Sequence, residues 1–180
     1  MSYDRPMDSV TRDLLRHFLA ALAYRTQKAL RDAPESFADF SAGEGVRTPK
    51  DLLRHMTSVL GYARTFLIGG SYKADPLPDM QSEIARFHAM LEDLGTRLES
   101  GETFSGATPE SILQGPFSDA MTHAGQLAML RRLSGSPVPP ENFVKADIRP
   151  DNLSANQSPP VSPGRRDGKW NPREEADGKD

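Results

Sequence analysis

The chain has no cysteine, one tryptophan (Trp170) and no apolar run approaching the roughly 20 residues that a helical membrane span needs. Without cysteine there are no disulfides, no thiolate metal ligands and no cysteine nucleophile, so any bound metal must be held by imidazole, oxygen or water. Basic excess is also missing: 22 Lys and Arg stand against 25 Asp and Glu, a net charge of -3, which argues against a nucleic-acid partner. The N-terminus lacks the basic-then-apolar pattern of a secretion signal, so a cytoplasmic location and no membrane partner are expected. No alternating apolar run long enough for a sheet is present, and no internal repeat. What remains is a chain of 180 residues, 37% hydrophobic and 26% charged, a composition that fits one ordinary globular domain with a real core.

The apolar spacing is helical throughout. Val10, Leu14, Leu15, Phe18, Leu22 and Leu30 predict a first helix over residues 9–33, with Asp8 or Ser9 as its N-cap. Thr48-Pro49 has the cap-then-proline form of a helix start, and Leu52, Met56, Val59, Ala63 and Phe66 form one stripe before Gly69-Gly70. After a connector containing Pro76 and Pro78, Ile84, Phe87, Leu91, Leu94 and Leu98 mark a third helix ending near Gly101. Thr108-Pro109 starts a short helix that Gly115-Pro116 cuts and restarts, giving a fourth long helix from about Pro116 to Leu133 with Gly135 as its stop. The expected fold is therefore all-α, a four-helix bundle over residues 1–148. Residues 149–180 offer little to bury and are expected to form an extended or disordered tail, with Trp170 as a possible anchor on the bundle or a partner subunit.

Asp119 and His123 lie four residues apart, about one helical turn, and so project from one face of the fourth helix. On a solvated face such a pair often does no more than hydrogen-bond. Here Ala120, Ala124, Leu127 and Leu130 put it at or beside the buried stripe. His55 lies between Leu52 and Val59, beside the core face of the second helix, and completes a candidate metal set of two histidines and one carboxylate. His17 and His88 have no acid or histidine one turn away and read as surface or structural residues. Ser118 and Thr122 lack the glycine-bounded elbow of a nucleophile and read as capping and packing residues. Gly43-Glu44-Gly45 is a loop signal too short for a phosphate-binding fingerprint. Arg131-Arg132, in the last turn, complements the helix dipole, with anion binding as the lesser alternative.

The run Leu52-Leu53-Arg54-His55-Met56, followed by Asp119 and by His123-Ala124-Gly125-Gln126-Leu127, resembles the DinB/YfiT-like superfamily of metalloenzymes over roughly residues 9–148. The resemblance implies a bundle in up-down-down-up order, with residues 71–79 as the crossover, and frequent homodimers. It also implies a divalent ion, commonly zinc or nickel, on a histidine early in the second helix and a ligand-x-x-x-His pair on the last. His55 and His123 match those positions, and Asp119 stands where many members have a histidine. Characterised relatives include thiol-dependent S-transferases, so the resemblance implies a small-molecule substrate and a low-molecular-weight thiol as cosubstrate. The alternatives are a metal-dependent hydrolase and a non-catalytic dimeric bundle in which the three residues form a buried polar network. No catalytic residue beyond the ligand set is readable.

Overall fold

Asp8 opens the first helix: its carboxylate accepts the Thr11 N–H at 2.9 Å, satisfying a donor that the helix itself leaves unpaired. In the computed structural model, which describes residues 7–161, helix α1 is Ser9–Leu30, α2 is Pro49–Ile68, α3 is Met80–Glu99, α4 is the four-residue Pro109–Ile112 and α5 is Ser118–Leu133. Short 3-10 turns occupy Glu35–Phe37 and Phe143–Lys145, and no strand occurs among the described residues. None of these helices is long and apolar enough to cross a membrane. The expectations for Trp170 and for residues 162–180 fall outside the described residues.

The four long helices form an all-α bundle in which α1 and α2 each pack against both α3 and α5. Its core is built from Leu15, Leu19 and Leu22 of α1, Leu53, Met56 and Leu60 of α2, Phe87, Leu91 and Leu94 of α3, and Ala120, Ala124 and Leu127 of α5, all buried. Each large aliphatic side chain withdrawn from water in this way contributes about 1.5–3 kcal/mol before chain entropy is counted. The α3 and α5 stripes expected from spacing are the faces that pack, whereas on α2 Leu53 and Leu60 join Leu52, Met56 and Ala63 in the core and Val59 and Phe66 of the expected stripe are only half-buried. On α1 the stripe is rotated, because Val10 and Leu14 are about two-thirds exposed while Leu15, Leu19, Leu22 and Ala23 face the core. The helix thus buries the 15-19-22-23 face, and the apolar residues of its first turns lie outside the packed layer.

Helix ends follow the local signals closely. Gly135 (φ 79°) closes α5 in a Schellman turn, with the Ser136 N–H on the Arg131 carbonyl at 3.0 Å and the Gly135 N–H on the Arg132 carbonyl at 3.2 Å. Arg131 does more than complement a dipole. It is buried, and its guanidinium donates to the carbonyls of Ala29 and Arg31, each at 3.0 Å, so it caps the end of α1 from α5.

The connection from α2 to α3 returns along α2. The Tyr72 ring lies against Gly61, where a Cβ would sit 1.9 Å from it, and the Ala74 N–H donates to the Ser58 hydroxyl at 3.1 Å. Buried Glu83 then accepts the Leu77 N–H at 3.0 Å and pairs with Arg86.

Packing does not stop at residue 148, where the sequence reading ends the bundle. Residues 149–161 form no helix or strand, yet Leu153 is buried against Gly95 of α3 and belongs to the core. The Leu153 carbonyl bonds His88 Nδ1 at 2.8 Å, and Arg31 donates to the Gln157 and Ser158 carbonyls at 2.7 and 3.1 Å. One leucine and a set of backbone carbonyls hold this segment, which is why its polar composition did not reveal the contact.

Candidate metal centre

Two helix starts position the site. At α2 the Thr48 hydroxyl accepts the Asp51 N–H at 3.2 Å and Pro49 takes the first helical position, which fixes the phase that buries Leu52, Leu53 and Met56 and leaves His55 half-buried at the edge of the α2–α5 seam. At α5 the chain passes through a wide turn, Leu113–Phe117, in which Gly115 leaves helical geometry (φ -88°, ψ -105°) and Pro116 has no N–H to offer. The regular helix therefore begins at Ser118, two residues later than the sequence spacing predicts. The Ser118 hydroxyl donates back across the turn to the Leu113 carbonyl at 2.6 Å, and the Thr122 hydroxyl donates to the Ser118 carbonyl at 2.9 Å, so both hydroxyls are engaged by local backbone carbonyls rather than by one another or a base. Asp119 falls in the first turn of α5, where the positive end of the helix favours a carboxylate.

The seam brings His55, Asp119 and His123 together, with one ligand atom from each lying within 4.8 Å of the others. The two imidazole rings meet edge to face with centroids 4.8 Å apart. His123 Nε2 is 3.4 Å from an Asp119 carboxylate oxygen. Two ligands held at about 2.1 Å by one ion at the tetrahedral angle are separated by about 3.4 Å, so this pair already has a ligating spacing. His123 is buried, His55 is half-buried and Asp119 is exposed, which leaves one side of the cluster open to solvent.

Protonation suits ligation. Burial holds the His55 imidazole below its ordinary value of 6.5, the Arg47 guanidinium and His123 push the same way, and Asp119 opposes them. His55 is thereby kept in the neutral form that binds metals. On His123 the second ring nitrogen, Nδ1, is 2.8 Å from the Gln126 side-chain oxygen. Nδ1–H donating to that oxygen leaves Nε2 as a lone pair aimed at Asp119, so two acceptors face each other across a gap that a cation would fill. The donor set, two imidazoles and a carboxylate, could hold a metal ion.

The other histidines are elsewhere. His17 is exposed on α1. His88 is buried in α3 and engaged by Leu153 and, at 3.4 Å, by the Gln27 side chain.

Two residues were not read from sequence as parts of the site. Gln126 follows His123 at a spacing of three, which places it over the outer nitrogen of the ring, and this spacing was the available signal. Arg47, in the loop before α2, acts on His55 electrostatically, and nothing in local spacing announces it. Searches of the chain against protein-family models, curated proteins and solved structures returned no match.

Proposed function

We propose that this protein is a DinB/YfiT-like bundle that binds one divalent ion through His55, Asp119 and His123 and uses the open side of that centre to activate a small thiol for transfer to an electrophile. The observation that carries this reading is the convergence of three donors from two helices, with Gln126 orienting one of them. The helix directions give support. Phe18 stacks on Phe117 and Arg131 reaches Ala29, matching like ends of α1 and α5. Arg16 pairs with Glu99 while Gln27 meets His88, matching opposite ends of α1 and α3. Arg64 pairs with Asp93 and the connector returns along α2, consistent with parallel α2 and α3. These contacts fit up-down-down-up order.

A zinc or nickel ion bound there supplies Lewis acidity, lowering the pKa of a ligated thiol or water. The chain contributes the two imidazoles and the carboxylate, a set of three protein ligands characteristic of catalytic rather than closed structural zinc sites. Lacking cysteine, it cannot supply the sulfur itself.

Elemental analysis of tag-free protein tests the metal. One equivalent is expected for the native chain and for Asp119→His, and none for His55→Ala or His123→Ala. Stoichiometric metal in either alanine variant would remove that residue from the ligand set. For the reaction, bacillithiol, mycothiol, glutathione and coenzyme A are each offered with an alkyl halide. Carbon–sulfur bond formation with release of halide and a proton is expected to be faster than with His55→Ala for at least one thiol. Equal rates for all four would refute thiol transfer.

A further inference from the structure

Two grooves flank the histidine pair along the α2–α5 seam, and their chemistry differs. One, of about 700 Å³, is lined by residues including Tyr62, Ser118, Asp119 and Thr122, with no Lys or Arg side chain among them. The other, of about 450 Å³, lies between the 42–47 loop and the facing parts of α2 and α5. Its walls include Val46, Leu52, Met129 and Leu133, and its polar groups are Arg47 and Gln126, the same Gln126 that holds His123. This volume is within the range of small-molecule sites, and apolar walls with a few placed polar groups are the usual lining.

Arg47 differs from most of the described arginines in what it lacks. Arg16, Arg64, Arg86 and Arg97 are paired with carboxylates, and Arg31 and Arg131 donate to backbone carbonyls. The exposed Arg47 side chain makes no hydrogen bond, ion pair or ring contact with any described residue, although it lies near enough to His55 to act on it electrostatically. A guanidinium is charged at every physiological pH and offers a planar fork of donors that matches a carboxylate. On the opposite side of the centre, Asp119 repels an anion.

We infer that Arg47 recognises the anionic group of the molecule that binds at the metal centre, seating its body in the 450 Å³ groove. The inference rests on the metal-binding reading above and adds that the ligand is a small acid, with a carboxylate or equivalent anion a few bonds from the atom that meets the metal. Arg47 is a specificity residue here and touches no reacting atom.

The test uses nickel-loaded full-length protein and two thiols of equal shape, 3-mercaptopropionate and 3-mercaptopropanamide, titrated through the sulfur-to-metal charge-transfer band. Native protein is expected to bind the acid about tenfold more tightly than the amide, an effect of about 1.4 kcal/mol. Arg47→Gln should abolish the preference, weakening the acid about tenfold more than the amide, Arg47→Lys should keep part of it, and Arg47→Glu should reverse it. Equal affinities in the native protein, or an equal loss of both thiols in Arg47→Gln, would overturn the inference. Metal content is measured first. Protein that takes up no nickel defeats the metal-binding reading and this inference with it, whereas loaded protein without charge preference defeats only the role of Arg47.

Discussion

The bond between Gln126 and His123 gives the most direct test of how the centre is oriented. Gln126→Leu removes the acceptor and leaves an apolar side chain one bond shorter. At 2.8 Å between neutral partners, the bond is worth about 0.5–1.5 kcal/mol net. Its weight in metal binding is larger, since ligation polarises the ring and strengthens donation from Nδ1, and loss of such an outer partner typically costs 10–100-fold in affinity. Because Gln126 is exposed and water can replace part of the bond, the low end applies: about tenfold, or about 1.4 kcal/mol. Gln126→Glu makes the bond charge-assisted and should tighten zinc by a similar factor. Competition with a chromophoric chelator at fixed pH and salt reads both variants, and the metal-free Gln126→Leu form should melt within about 5 °C of the native chain. Native affinity in Gln126→Leu would show that His123 does not ligate through Nε2. Weakening in Gln126→Glu would show that Nδ1 is not the donor to position 126.

Burial holds His88 below its ordinary value of 6.5, while its bond to the Leu153 carbonyl opposes that shift. The unfolded chain therefore binds the proton more readily, and the stabilisation present above about pH 6.5 should be lost as pH falls from there through the folded-state value. Urea melts at pH 7.5 and 5.5 should show this loss, and His88→Gln should flatten it; an unchanged slope in the variant would assign the pH dependence to other groups. Gly95→Ala would ordinarily strengthen a helix by about 1 kcal/mol, but its Cβ would sit 2.2 Å from a Leu153 methyl carbon. It should destabilise the native chain, and the same change in a Leu153→Ala background should be neutral or stabilising. Additive effects in thermal melts would mean that the segment after residue 148 does not pack as described. Gly61→Ala should likewise destabilise by expelling the Tyr72 ring, and hydrogen exchange should locate the loosening in residues 69–79.

What the sequence made legible was what local chemistry decides. Thr48 and Pro49 set the phase of α2, Gly69, Gly101 and Gly135 end their helices, and the 84-87-91-94-98 spacing names the buried face of α3. These signals act within a turn or two of the residue that carries them. On α1 they failed in part. Val10, Leu14 and Leu15 make two overlapping apolar stripes, and the choice between them is set by where α3 and α5 lie. Leu153 was hidden for a related reason: one buried leucine in a polar segment gives no period, and its partner is the bare surface left by Gly95.

The candidate site divides along the same line. Asp119 and His123 share a helix, so their spacing predicts their meeting, and Gln126 was in reach of the same logic. His55 required a tertiary guess, which its place beside the α2 stripe made reasonable. Arg47 lies outside any regular element, and its relation to His55 comes from the path of the loop that Gly43 and Gly45 turn, both at positive φ, before Thr48 starts the helix. A ligand-recognition residue of this kind is legible only after the bundle has fixed where the seam runs. The loop is therefore where substitution should alter choice of ligand without dismantling the centre, because neither its glycines nor Arg47 is buried in the core that holds the two helices together.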